Sequence, residues 1–166
     1  MQAFCNAASA AARALLPENS IISHAPQAPY LGSWAGDDLG YTGILSRGEL
    51  DVDFLNVQFY NQGAHETYQS LFVDHGSDHW LDNSSVGEMI ANGVSSDKIV
   101  VGKYLRDDSG QYYASNGYVS PVTLNQWTCS YKSGTGNQVA GFMVWMYAGP
   151  SDNSILDWGK LVNKQC

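Results

Sequence analysis

Basic residues are scarce in this chain. Eight lysines and arginines stand against sixteen aspartates and glutamates in 166 residues, a formal net charge of −8. Phosphate backbones and anionic lipid surfaces would both be repelled, so neither nucleic acid nor a membrane surface is expected as a partner. Long apolar runs are missing too. The longest, Val139 to Gly149, falls well short of the roughly 20 residues a membrane-spanning helix needs, so no span is expected and the chain reads as soluble. Cysteine is sparse. Cys5, Cys129 and Cys166 are an odd number without a Cys-x-x-Cys pair, which leaves no zinc motif and room for one disulfide plus one free thiol. Cys129–Cys166 is the preferred pairing. A signal peptide is poorly supported, because Asn6 and Arg13 interrupt the Ala-rich stretch Met1–Leu16 and no basic segment precedes it. No serine nucleophile elbow occurs, and Ser133-Gly134-Thr135-Gly136 precedes a strand instead of following one, so it is not a phosphate loop.

What is present suits one domain spanning residues 1–166, with 44% hydrophobic residues to fill a core. Met1–Leu16 reads as a helix, with Pro17 just past its end. Four short apolar segments follow: Ser20–Pro26, Val52–Tyr60, Lys98–Tyr104 and Val139–Tyr147. They lack clean alternation, as strands buried on both faces of a parallel sheet do. Helices are expected between and after them: Val86–Ala91 capped by Ser84, Leu124–Tyr131 capped by Thr123 and stopped at Gly134, and Ile155–Val162 capped by Ser154. Gly32–Gly48 is Gly-rich and at most briefly helical. The order is helix, then four βα units, which predicts an α/β fold of parallel strands with right-handed crossovers.

Asp53–Asn61 is the stretch that points to a site, a buried strand running into the polar cluster Gln58-Phe59-Tyr60-Asn61. Such residues at a strand's carboxyl end either hold a ligand or satisfy one another as buried polar groups do. Tyr30, Trp34, Tyr41, Tyr104, Tyr112 and Tyr113 fall in loop-like stretches, and such rings suit a glycan platform or a protein interface. Asp74-His75-x-x-Asp78-His79 has metal-ligand residue types, but Gly76 and Ser77 argue against a helix and no third histidine is near. A solvated loop is the simpler reading. His24 reads as a hydrogen-bonded structural residue. Asn83-Ser84-Ser85 is a formal glycosylation sequon.

Together the four strand sequences resemble the second half of the barrel of family 18 glycoside hydrolases, nearest to class III and fungal or bacterial chitinases. His24-Ala25-Pro26-Gln27-Ala28-Pro29-Tyr30 resembles the fifth barrel strand and its loop. Asp53–Asn61 resembles the sixth, with the family's Gln-x-Tyr-Asn. Lys98–Gly102 followed by Gly117-Tyr118-Val119 resembles the seventh. Gly141–Met146 resembles the eighth, which ends in the family's tryptophan. The resemblance implies half of a TIM barrel preceded by a helix, which dimerisation through the open edges would complete. It also implies a sugar-binding rim of Gln27, Gln58, Tyr60, Asn61 and Trp145. Tyr60 and Gln58 would hold an acetamido group and Trp145 would floor a sugar ring, although simple core packing is the plainer expectation for Trp145.

The family's catalytic Asp-x-x-Asp-x-Asp-x-Glu belongs to the fourth strand, ahead of the helix that Met1–Leu16 resembles, and these 166 residues do not contain it. Forcing Asp51–Gln58 onto the pattern places Phe54, Asn56 and Gln58 where Asp, Asp and Glu are required. Without a general acid the leaving group departs as an alkoxide, a loss of typically ~10²–10⁴-fold. No catalytic residue, metal or cofactor is therefore assigned. The resemblance implies a secreted, non-catalytic protein that binds an N-acetylglucosamine-containing glycan and acts as a lectin or immunomodulator through a protein receptor. The open edges of half a barrel predict a homodimer, the alternative being a monomer with Met1–Leu16 folded over the open face. The alternatives are a fragment of an active chitinase and a structural interaction module without glycan affinity.

Overall fold

The computed structural model describes residues 2–32, 40–41, 51–62, 67–76, 80–105, 117–145, 154–163 and 166. Within them are helix α1 (Gln2–Leu15), strand β1 (Ser23–His24), strand β2 (Phe54–Gln58), helix α2 (Val86–Ala91), strand β3 (Ile99–Tyr104), helix α3 (Pro121–Thr135), strand β4 (Gly141–Trp145) and helix α4 (Ser154–Val162). The strands form one parallel sheet in chain order, so each crossover moves the chain to the next position. The expected α/β architecture of parallel βα units after an N-terminal helix is what the chain adopts. Among the described residues no helix is long and apolar enough to cross a membrane.

Register separates the two faces of the sheet. Leu55 pairs with Ile99 and Val57 with Val101, and Val101 in turn pairs with Phe142. The first four are fully buried in a core that also takes Leu124 and Tyr131 from α3 and Trp158 from α4. The alternate residues Phe54, Asn56, Gln58, Val100 and Met143 are only partly buried and form the opposite face, which in a closed barrel would point inward. The disulfide Cys129–Cys166 ties α3 to the chain's last residue, as expected.

Local chemistry corrects several boundaries. Only Ser23 and His24 of the first expected strand are laddered. The Asp53 carboxylate takes the Ile22 N–H at 2.7 Å, and beyond Pro26, which has no N–H, pairing resumes only as the isolated bridge between Gln27 and Gln58. Helix α2 is capped by Ser85, not Ser84. Ser85 accepts from the Glu88 N–H while the Glu88 side chain returns to the Ser85 N–H, a capping box, and Ser84 instead donates to the Leu81 carbonyl. Helix α3 begins earlier than expected because Pro121 sits in its first turn, behind a Ser120 side chain that accepts from the Thr123 N–H. It passes through Gly134 and stops at Gly136, whose φ of +76° closes the last turn. The Gly-rich stretch between β1 and β2 lies mostly outside the described residues.

Candidate functional site

The carboxyl ends of β2, β3 and β4 gather a polar and aromatic rim. Gln58 ends β2 and is fastened to the segment after β1. Its Nε2 donates to the Ala25 carbonyl at 2.6 Å, and its backbone N–H donates to the Pro26 carbonyl at 2.8 Å. Its own carbonyl accepts from Gln62 Nε2 at 2.8 Å. Gln27 lies alongside through the isolated bridge. These bonds fix the first part of the rim on backbone groups from two strands.

Two residues on, Tyr60 turns its ring onto Trp145, the last residue of β4. The ring planes differ by 12° and the centroids stand 6.3 Å apart, an offset stack. Gly102 makes room for it. A Cβ there would meet Met143 Cε and the Val57 carbonyl at 2.7 Å, and would lie 3.4 Å from Tyr60 Cε1. Tyr60 is 5% exposed whereas Trp145 is 47% exposed, so the pair presents the indole and backs it with the phenol. Burial pushes the Tyr60 phenol above its ordinary pKa, so it stays protonated and able to donate at neutral pH. Asn61 is exposed at the turn itself, in the left-handed region with φ +57°, a conformation asparagine tolerates better than most residues.

Four of the five expected rim residues, Gln27, Gln58, Tyr60 and Trp145, therefore come together, with Asn61 on the turn beside them. Core packing, the plainer expectation for Trp145, is overturned, since nearly half its surface is open. Tyr104 is not a loop residue. It belongs to β3 and pairs with Trp145. Tyr41 packs against the core, and its hydroxyl lies 3.1 Å from His24 Nδ1, which bears out the structural reading of His24. Tyr30 meets Trp80 edge-on. Trp34, Tyr112, Tyr113, Asp78 and His79 lie outside the described residues. Asp74 accepts from the Gly76 N–H and the His75 N–H donates to Glu88, and among the described residues no group of three ligand side chains is placed to hold a metal.

The sequence reading missed the support beneath the rim. Lys103 is fully buried and donates through Nζ to the Phe59 carbonyl at 2.6 Å. Gly117, at φ +79°, packs its backbone on the same peptide. One signal was readable: a lysine within the otherwise uncharged strand Ile99–Tyr104.

A one-sheet parallel α/β unit with its rim at the strand ends is the layout of a TIM-barrel binding face. No family model matches the sequence. No curated protein matches it. Solved structures do match. A fungal endo-β-N-acetylglucosaminidase from glycosyl hydrolase family 18 is similar over 98% of this chain, with a TM-score of 0.67 and 24% identity. A family 18 chitinase from Pseudoalteromonas aurantia is similar over 97%, with a TM-score of 0.66 and 22% identity. The chain spans about half the length of each, 51% and 53%. At this identity the likeness is one of fold, and the fold is that of a partial family 18 barrel.

Proposed function

We propose that this single half-barrel unit recognises oligosaccharides containing N-acetylglucosamine and does not by itself hydrolyse them. Trp145 supplies a flat floor for a sugar ring, and Tyr60 and Gln58 supply a phenol and an amide for an acetamido group, with Gln27 and Asn61 completing the rim. The observation that carries the reading is the Tyr60–Trp145 stack, which leaves the indole nearly half exposed at the strand ends. Aromatic faces of this kind bury area at small entropic cost. A lectin-like or immunomodulatory role, a protein receptor and a secreted location belong to the same reading, supported by the family resemblance, and a homodimer is supported by the open edges of the four-stranded sheet. The test is a tryptophan-fluorescence titration with chitin oligosaccharides. A saturable shift, abolished by Trp145→Ala and weakened by Tyr60→Phe, is expected. A flat titration retires the rim.

A second reading is favoured by one observation, the coverage of only about half of each matching chain. The chain then works as one part of a chitinase whose general acid lies on another segment. A transcript that encodes this chain downstream of Asp-x-x-Asp-x-Asp-x-Glu establishes that reading.

A further inference from the structure

We propose that Lys103 is a positioning residue for this rim: from the helix side of the sheet it grips the Phe59 carbonyl and so sets the Tyr60 ring and hydroxyl against Trp145. The inference rests on the glycan reading of that rim. Strand alternation puts Ile99, Val101 and Lys103 on the helix-facing side, where the first two are fully buried apolar residues. A third apolar side chain would continue that layer without any charge to desolvate. The lysine instead lies at 0% exposure, an expensive placement unless its amine is used.

The amine reaches the peptide that joins Phe59 to Tyr60. With the Phe59 carbonyl held by Nζ at 2.6 Å and the Phe59 N–H donating to the Gly102 carbonyl at 3.0 Å, both backbone polar groups of Phe59 are committed to β3. Gly117 packs beside the amine on the same carbonyl. A Cβ on it would lie 2.8 Å from the Phe59 carbonyl oxygen, 3.0 Å from Tyr60 Cα and 3.4 Å from Lys103 Nζ, so only a glycine lets that backbone lie against the peptide. The direction in which Tyr60 leaves the strand is thus decided by Lys103 and Gly117, neither of which belongs to the rim. Burial also holds the lysine well below its ordinary pKa, consistent with a donor kept for a carbonyl instead of a solvated charge.

The experiment compares the intact chain with Lys103→Met, Lys103→Arg and Gly117→Ala. It reads affinity for chitotetraose and for its fully de-acetylated counterpart, and also near-ultraviolet circular dichroism with Trp145→Phe as the reference background. If Lys103 aims the Tyr60 hydroxyl at an acetamido group, Lys103→Met lowers the preference for the acetylated sugar by roughly tenfold, the worth of one well-placed hydrogen bond. A general loss of folded protein would reduce both affinities equally and leave their ratio unchanged. Lys103→Met also changes the indole bands of the dichroism in the parent but not in the Trp145→Phe background, which has no indole at that position. Lys103→Arg, which keeps a donor, restores part of the preference. If Lys103→Met fails to fold, Gly117→Ala, whose Cβ would crowd both the Phe59 carbonyl and the amine that holds it, must show the same selective loss. An unchanged ratio together with an unchanged dichroism signal in a folded variant overturns the proposal. If the parent binds neither sugar while the Trp145-dependent signal still disappears in Lys103→Met, the glycan reading falls and the positioning role stands.

Discussion

The two faces of the sheet are built from neighbouring residues to opposite ends. Val101 is fully buried against the helices, whereas Val100, one residue earlier, is only partly covered on the other face. On the helix side Leu55, Val57, Ile99 and Val101 meet α3 and α4 in a closed apolar core. On the opposite side Phe54, Asn56, Gln58 and Met143 mix polar and apolar groups and stay partly open. Stability therefore resides in the helix-side layer. The proposed recognition chemistry falls on the face that a complete barrel would fill with side chains from further strands.

The largest expected effect comes from the covalent tie of that layer. Replacing Cys129 and Cys166 by serine opens a link across a sequence separation of 37 residues, and loop-closure entropy puts the loss at about 3–4 kcal/mol. Urea unfolding measures it, and a loss below about 1 kcal/mol would mean that α3 and α4 hold without the bridge. Next comes the comparison in its barest form. Val101→Ala removes buried methyl groups and leaves a cavity, a destabilisation of about 2–3 kcal/mol, whereas Val100→Ala is expected below about 1 kcal/mol. Equal effects in parallel unfolding curves would show the open face to be as well packed as the closed one. Smaller again is Ser85→Ala, which deletes the cap of α2, a short helix on the core side, at about 1 kcal/mol. Thermal unfolding should register it as a shift of a few degrees.

The same contrast explains what the sequence made legible. The strands β2, β3 and β4 were readable because they are short runs rich in β-branched and aromatic residues, charged only at Lys103, and helices α2 and α3 because serines and glycines flank their ends. The exact caps were harder. Ser85 begins the S-x-x-E pattern with Glu88 that Ser84 lacks, the signal that could have separated them, and the structure shows Glu88 reaching back to Ser85. Strand β1 was over-read because its competitor, the Asp53 side chain, lies thirty-one residues from the N–H it captures. The rim residues were named from motifs, but the exposure of Trp145 and the grip of Lys103 depend on how three strands end relative to one another. No single segment encodes that.

The smallest effect sharpens the comparison at its edge. On the helix side of β1 the contact with α1 is polar. Ser9 donates to the Cys5 carbonyl at 2.9 Å and its oxygen lies 3.0 Å from His24 Nε2. His24 Nδ1 lies 3.1 Å from the Tyr41 hydroxyl, which in turn is within hydrogen-bonding reach of the Cys5 thiol. With Ser9 already donating to Cys5, its oxygen is placed to accept from Nε2–H, and in the neutral ring Nδ1 then accepts from Tyr41. Burial holds the His24 pKa below its ordinary 6.5. The unfolded chain then binds more protons than the folded one as pH falls through 6.5. The contribution of this contact is therefore complete above that pH and declines below it, until the folded-state pKa is also passed. Asp53 adds a separate loss at lower pH. Its pKa is depressed first by the Ile22 N–H and then by Arg13, so its share is present above about 4 and fades beneath. Urea midpoints measured from pH 8 to pH 5 should fall slightly for the parent and stay level for His24→Gln. A parent curve as level as the variant's would mean that α1 does not lean on this histidine, and that the polar edge contributes no more than the open face does.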